Sequence, residues 1–217
     1  MMLHIAIIVL AAILLPILLY YECREDRRGL VPAKAALSAL FVVTALVQPH
    51  PMPGYYYFVL IGLLFCLGGD VSLALPQDRM FRLGLVSFLV GHIFYSVAFF
   101  MTADTGAWTW WGTLVVLIVS GWVYFWLRPR LGRMNGPVLA YIVVITVMVS
   151  GAWSIWGDAR LAWDGRIMVF AGACCFYVSD IFVARDRFVK MEALNRLIGL
   201  PLYYGGQFLL AFSVGQF

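Results

Sequence analysis

Apolar runs of about twenty residues, broken by short polar punctuation, recur along the whole chain. A bilayer crossing needs roughly 20 mostly apolar residues. Eight stretches qualify: 3–21, 30–47, 55–75, 83–102, 108–127, 137–156, 167–184 and 197–214. The connections carry the turn signals, namely Pro49, Pro51 and Pro53-Gly54, then Pro76, Pro129, Asn135-Gly136 and Gly157-Asp158. The second stretch is the weakest, because Lys34 falls near its start. The pattern predicts an all-α polytopic membrane protein of eight transmembrane helices, with residues 1–217 as a single integral membrane domain. The first run follows no positively charged segment and is long enough to span, so it is expected to be retained rather than cleaved.

Composition agrees with the pattern. Of the 217 residues, 64% are hydrophobic and 12% charged, about half the charged share of a soluble domain. The net charge of +4 is not a nucleic-acid signal, because the basic residues sit in short loops between spans. Thirteen of the fifteen follow the odd-numbered spans: Arg24, Arg27, Arg28, Lys34, Arg79, Arg82, Arg128, Arg130, Arg133, Arg185, Arg187, Lys190 and Arg196. Only Arg160 and Arg166 lie on the other side. Basic loops stay cytoplasmic, so both termini are expected outside the cytoplasm, in the cell (inner) membrane if the source is bacterial. Cys23, Cys66, Cys174 and Cys175 form no CxxC pair and read as small apolar packing residues. Trp108, Trp110, Trp111, Trp153, Trp156 and Trp163 cluster at span ends as an interfacial belt.

The residues that break the pattern are the informative ones. Asp70 follows Cys66-Leu67-Gly68-Gly69, and Asp180 follows Phe176-Tyr177-Val178-Ser179. Ionisable groups inside spans are costly, and by default they are read as functional. A single buried aspartate can merely cap a helix or pair with a lysine; two in matching surroundings suggest a paired site. Asp70 is six residues before Pro76 and Asp180 five before Arg185, so both lie roughly 7–9 Å below the cytoplasmic boundary. His92 is deeper, near the midplane, on a face with Tyr95.

Spans three and four resemble spans seven and eight. In each pair a small residue and Asp are followed by a basic loop, Asp78-Arg79-Met80-Phe81 or Asp186-Arg187-Phe188, and then by a helix with a polar centre. That centre is Gly91-His92 in one pair and Tyr203-Tyr204-Gly205-Gly206-Gln207 in the other. A 4+4 parallel internal repeat would place Asp70 and Asp180 at one depth, facing each other across a cavity.

Gly69-Asp70-Val71-Ser72-Leu73, Gly91-His92-Ile93-Phe94-Tyr95, Ser179-Asp180 and Tyr203-Tyr204-Gly205-Gly206-Gln207 together resemble the YhhN-like family of integral membrane proteins, which includes the animal lysoplasmalogenases. The resemblance covers nearly the whole chain. It departs from the family at Lys34, which follows Pro32-Ala33 where a Lys-Pro pair is expected. The resemblance implies hydrolysis of the vinyl ether bond of lysoplasmalogens to a fatty aldehyde and a glycerophospho-ethanolamine or -choline. Such a bond is cleaved by protonation at carbon and capture of the resulting cation by water. A carboxylic acid and a carboxylate suffice, as in glycoside hydrolysis, with no metal, cofactor or nucleophilic serine.

Asp70 and Asp180 are therefore the candidate catalytic residues. The candidate substrate-binding set is His92, Tyr95, Lys34, Tyr141, Tyr177, Asn195, Tyr203 and Gln207, for several of which packing or interhelical hydrogen bonding is the plainer role. Lys34 in particular is placed to snorkel to the interface. The expected partners are a lysophospholipid substrate and membrane lipids, with no nucleic acid; oligomeric state is left open. The rival reading is a transporter for a lipid or small amphiphile, with the acids as a proton relay. The charge asymmetry makes the first prediction. A reporter fused to the C-terminus should be active only when it requires the non-cytoplasmic side, and activity confined to a cytoplasmic reporter would reverse the topology.

Overall fold

The computed structural model describes residues 2–24 and 26–217, and among them the regular structure is helical throughout. Eight α-helices follow in chain order: α1 (Met2–Arg24), α2 (Arg27–Val47), α3 (Pro53–Leu73), α4 (Asp78–Thr102), α5 (Ala107–Leu131), α6 (Asn135–Gly157), α7 (Trp163–Phe188) and α8 (Ala193–Ser213). Among the described residues, seven segments are long and apolar enough to cross a membrane. One of them, Ala107–Gly157, contains both α5 and α6. With its apolar surface turned outward, the chain is an integral membrane protein. Trp110, Trp111, Trp122 and Phe125 on α5 are about two-thirds exposed, which suits lipid contact. Trp153 departs from the expected belt: it is half-buried and stacks on Trp108.

Two loop readings need correction. Pro129 does not end the fifth helix, which runs on to Leu131. A proline near a helix end removes one backbone bond, here the one to the Phe125 carbonyl, and the helix continues for two residues beyond it. The turn itself falls at Gly132, where φ is +50°, a region that glycine enters without steric cost. Asn135-Gly136, read as the turn, already belongs to α6.

The arrangement of the helices places the site. α3 pairs with α4 and α7 with α8 as the two most intimate hairpins; α2 lies against α3 and α8, while α6 lies against α7 and α4. α1 covers α2 and α5 covers α6. Glycines set how close the hairpin helices come. A Cβ on Gly62 would sit 3.1 Å from the Gly91 carbonyl oxygen, and one on Gly91 would sit 3.0 Å from that of Gly62. In the other hairpin a Cβ on Gly172 would sit 3.0 Å from the Gly206 oxygen, and one on Gly206 would sit 2.7 Å from that of Gly172. Gly62 and Gly172 are separated by the same 110 positions as Asp70 and Asp180. In this register His92 matches Gln207, and Phe88 matches Tyr203.

Gly206→Ala should thus force the α7–α8 backbones apart and cost about 1–3 kcal/mol. Gly205→Ala, where a Cβ meets nothing within 4 Å, should be neutral or stabilising by up to about 1 kcal/mol. Thermal unfolding of the two variants in detergent checks this; equal midpoints would mean the helices do not depend on glycine for their approach.

Candidate functional site

Asp70 sits in the last turn of α3 and is 3% exposed. A buried carboxyl needs hydrogen-bond partners, and the two helices flanking α3 supply them. Ser38 Oγ on α2 and Tyr203 OH on α8 both donate to Asp70 Oδ2, each at 2.6 Å. Tyr203 belongs to a chain: Tyr95 OH donates to Gln207 Oε1 at 2.8 Å, and Gln207 Nε2 donates to Tyr203 OH at 3.3 Å. Tyr95, Gln207 and Tyr203 therefore act as one supporting network, with Asp70 as its terminal acceptor. Ser38 escaped the sequence reading. The one signal for it was its spacing, four residues after Lys34 on the same helix face.

Asp180 lies in the second half of α7. Tyr141 OH, from α6, donates to its Oδ2 at 2.6 Å. The position on α4 that matches Tyr203 is Phe88, which brings no hydroxyl to this side. Tyr177 points to α5, sharing a 2.8 Å hydrogen bond with Ser120.

Both aspartates open on one cavity of about 460 Å³, within the usual range for small-molecule sites. Its two walls differ. Glu22, Arg27 and Lys34, with Asn195, Arg196 and Tyr203, line the side formed by α1, α2 and α8. Val123, Leu127, Val138, Ile142 and Ile145, with Tyr141, line the side formed by α5 and α6. Phe88 and Tyr203 are part of the lining, and both meet Phe176 edge-on, with ring centroids 6.1 and 5.2 Å away.

His92 is not at the cavity surface, contrary to expectation. It is fully buried, with its ring centroid 4.4 Å from that of Phe176 and 5.3 Å from that of Tyr141, of which only Tyr141 lines the cavity. Its Nδ1 donates to the Phe88 carbonyl at 2.6 Å, and Nε2 is buried without a protein partner among the described residues. Phe88, whose carbonyl His92 holds, and Tyr141 are the lining residues next to it. Tyr95 and Gln207 are likewise behind the lining. Lys34 does not snorkel: it is 7% exposed, and its Nζ is 3.6 Å from Glu22 Oε2. Its position two turns into α2, under α1, prevents it from reaching the interface. Asn195 lines the cavity but is tied to the α7–α8 loop, donating to Asp186 Oδ1 at 3.0 Å and to the Lys190 carbonyl at 2.8 Å. In the same loop, Lys190 and Arg185 hold the Glu192 carboxyl below its usual range. Among the described residues, no three His, Cys, Asp or Glu are grouped as metal ligands.

The model of the YhhN family matches residues 30–214. The chain belongs to the YhhN family. The chain is similar to the protein named lysoplasmalogenase TMEM86A of Bos taurus, at 31% identity over 71% of this chain and 64% of that protein. It is 29% identical to the lysoplasmalogenase of Mycobacterium bovis over 81% of this chain and 65% of that protein. To lysoplasmalogenase TMEM86B of Rattus norvegicus it is 28% identical, over 87% of this chain and 84% of that protein. The chain thus spans just under two thirds of the length of the bovine and mycobacterial relatives. No solved structure matches it.

The placement of His92 gives a prediction. His92→Gln should lose a buried hydrogen bond worth about 1 kcal/mol, lowering the unfolding midpoint. Turnover should stay within about tenfold, and the pH–rate profile should keep its shape. Loss of one limb of that profile would make His92 an acid or base of the reaction.

Proposed function

We propose that this protein is a membrane hydrolase that cleaves the vinyl ether bond of lysoplasmalogens, releasing a fatty aldehyde and a glycerophospho-ethanolamine or -choline. The observation that carries the reading is that two aspartates from separate hairpins open on one cavity with a charged wall and an apolar wall. A single-chain phospholipid has the same two-part character. The names of the relatives point to the same bond. The charged wall takes the phosphate end, with Lys34 and Arg27 as its cations, and the apolar wall takes the alkenyl chain.

Asp70 and Asp180 are the catalytic pair in this reading. One carboxyl gives a proton to the β-carbon of the vinyl ether, leaving an oxocarbenium ion. The other carboxyl guides water to the adjacent carbon, and the hemiacetal collapses to aldehyde and alcohol. Positioned acids and bases of this kind contribute about 10²–10⁴-fold. Tyr203, Tyr141 and Ser38 hold the carboxyls in place, while Tyr95 and Gln207 hold Tyr203. The matched glycines and aspartates support reading the two hairpins as halves of an internal repeat. The residues act as one membrane domain that crosses the bilayer eight times, with α5 and α6 as separate crossings. The distribution of arginine and lysine supports a cell-membrane orientation with both termini outside the cytoplasm.

Purified protein should release aldehyde from a lysoplasmalogen and leave the matching alkyl-ether lysolipid intact, because only the vinyl ether accepts a proton at carbon. Asp70→Asn and Asp180→Asn should each lower turnover by about 10²–10⁴-fold with little change in protein yield. Transport of intact lipid into vesicles without cleavage would replace the hydrolase reading with that of a transporter.

A further inference from the structure

The surroundings of the two aspartates are not equivalent, and the difference has a chemical consequence. Asp70 accepts two side-chain hydrogen bonds, from two different helices. Ser38 and Tyr203 both donate to Oδ2, and Tyr203 is oriented by a chain running from Tyr95 through Gln207. An ionised carboxylate is an acceptor only, so converging donors suit one that keeps its charge. Lys34 lies on the same wall. Asp180 has one hydroxyl, from Tyr141 on α6, and shares the cavity lining with the α6 residues Ile142 and Ile145. Phe88 stands where the other hairpin has Tyr203.

The direction of the substrate in the cavity supplies the second argument. In an alkenyl ether the atoms run from the glycerol carbon to the ether oxygen, then to the α-carbon, the β-carbon and the chain. With the phosphate at the α1–α2–α8 wall and the chain along α5–α6, the β-carbon lies nearer the α6 side. Asp180, which is bonded to Tyr141 on α6, is on that side. Asp70, which is bonded to α2 and α8, is on the side of the ether oxygen.

We infer that Asp180 is the acid that protonates the β-carbon and that Asp70 is the carboxylate that directs water to the α-carbon. This assignment rests on the vinyl ether reaction proposed above. Asp180 transfers its proton to the β-carbon; the double-bond electrons form the new C–H bond, and an oxygen lone pair forms the oxocarbenium. Water adds to the α-carbon and gives a proton to Asp70, which leaves a hemiacetal. Asp70 then returns that proton to the glycerol oxygen as the C–O bond breaks. The Asp180 carboxylate accepts the hemiacetal hydroxyl proton. Aldehyde and alcohol leave, both carboxyls are restored, and one water is consumed.

The two roles separate in heavy water. If water capture is impaired but protonation is not, the oxocarbenium returns to vinyl ether, and recovered substrate carries deuterium at the β-carbon. Lysoplasmalogen is incubated in D₂O with wild type, Asp70→Asn and Asp180→Asn, and both aldehyde and deuterium in recovered substrate are measured. Both variants should release aldehyde at least about 100-fold more slowly. Asp70→Asn should incorporate deuterium faster than it releases aldehyde, whereas Asp180→Asn should stay at background. Milder variants guard against misfolding: Tyr203→Phe should raise the ratio of exchange to release, and Tyr141→Phe should not. Exchange in Asp180→Asn, absence of exchange in Asp70→Asn, or a ratio raised by Tyr141→Phe alone would overturn the assignment. Failure of wild type to release any aldehyde would instead overturn the reaction on which the assignment rests.

Discussion

The hydrogen bonds to Asp70 tie the architecture together. A carboxyl buried in a membrane helix costs about 2.5–3.5 kcal/mol even on insertion scales. Hydrogen bonds to a charged group contribute about 1.5–3 kcal/mol each, so two of them offset that cost, whereas one leaves it barely balanced. The donors must come from helices on either side, and Ser38 on α2 and Tyr203 on α8 meet that need. The packing of α2 and α8 against α3 is thereby coupled to the protonation chemistry of a single side chain.

The same constraint explains the cavity. Each aspartate needs a neighbour beyond its own hairpin, α2 and α8 for Asp70 and α6 for Asp180. The hairpins themselves close at glycines, where a Cβ would come within 2.7–3.1 Å of the carbonyl oxygen opposite. The open volume lies where the two sets of helices meet, and each aspartate faces it from its own side. The rings of Phe88, Phe176 and Tyr203 pack edge-on against one another, and Phe88 and Tyr203 line the cavity while His92 does not. Because Lys34, Arg27, Glu22 and Arg196 lie on one side and Val123, Ile142 and Ile145 on the other, the cavity has a direction, on which the proposed substrate orientation rests.

Much of this was legible in the sequence. The all-helical character, the position of most loops and both aspartates follow from hydropathy and from the cost of a charge in a span. Asp70 and Asp180 stood out in the sequence, but the reciprocal approach of Gly62 to Gly91 and of Gly172 to Gly206 was visible only in the folded chain. Ser38 was not legible, because a serine inside an apolar helix usually bonds its own backbone, as Ser96 does to the His92 carbonyl. His92 looked like a cavity residue because helical spacing places it near Tyr95, yet spacing cannot reveal that Phe176 and Tyr141 from other helices pack on its ring. Lys34 looked interfacial because the start of α2 was read three residues late, at 30 rather than Arg27. Pro129 misled for a related reason: proline signals a break, but within the last turn of a helix it costs only one hydrogen bond.

The central claim is that a single-chain ether lipid is threaded between the two aspartates with its phosphate at the α1–α2–α8 wall. The most direct measurement is an experimental structure with the uncleavable alkyl-ether lysolipid bound. The account predicts the ether oxygen and the first two chain carbons between Asp70 and Asp180, the phosphate beside Lys34 and Arg27, and the chain along Val123, Ile142 and Ile145. A lipid bound with its ether linkage away from both carboxyls, or with its phosphate against α5 and α6, would contradict it.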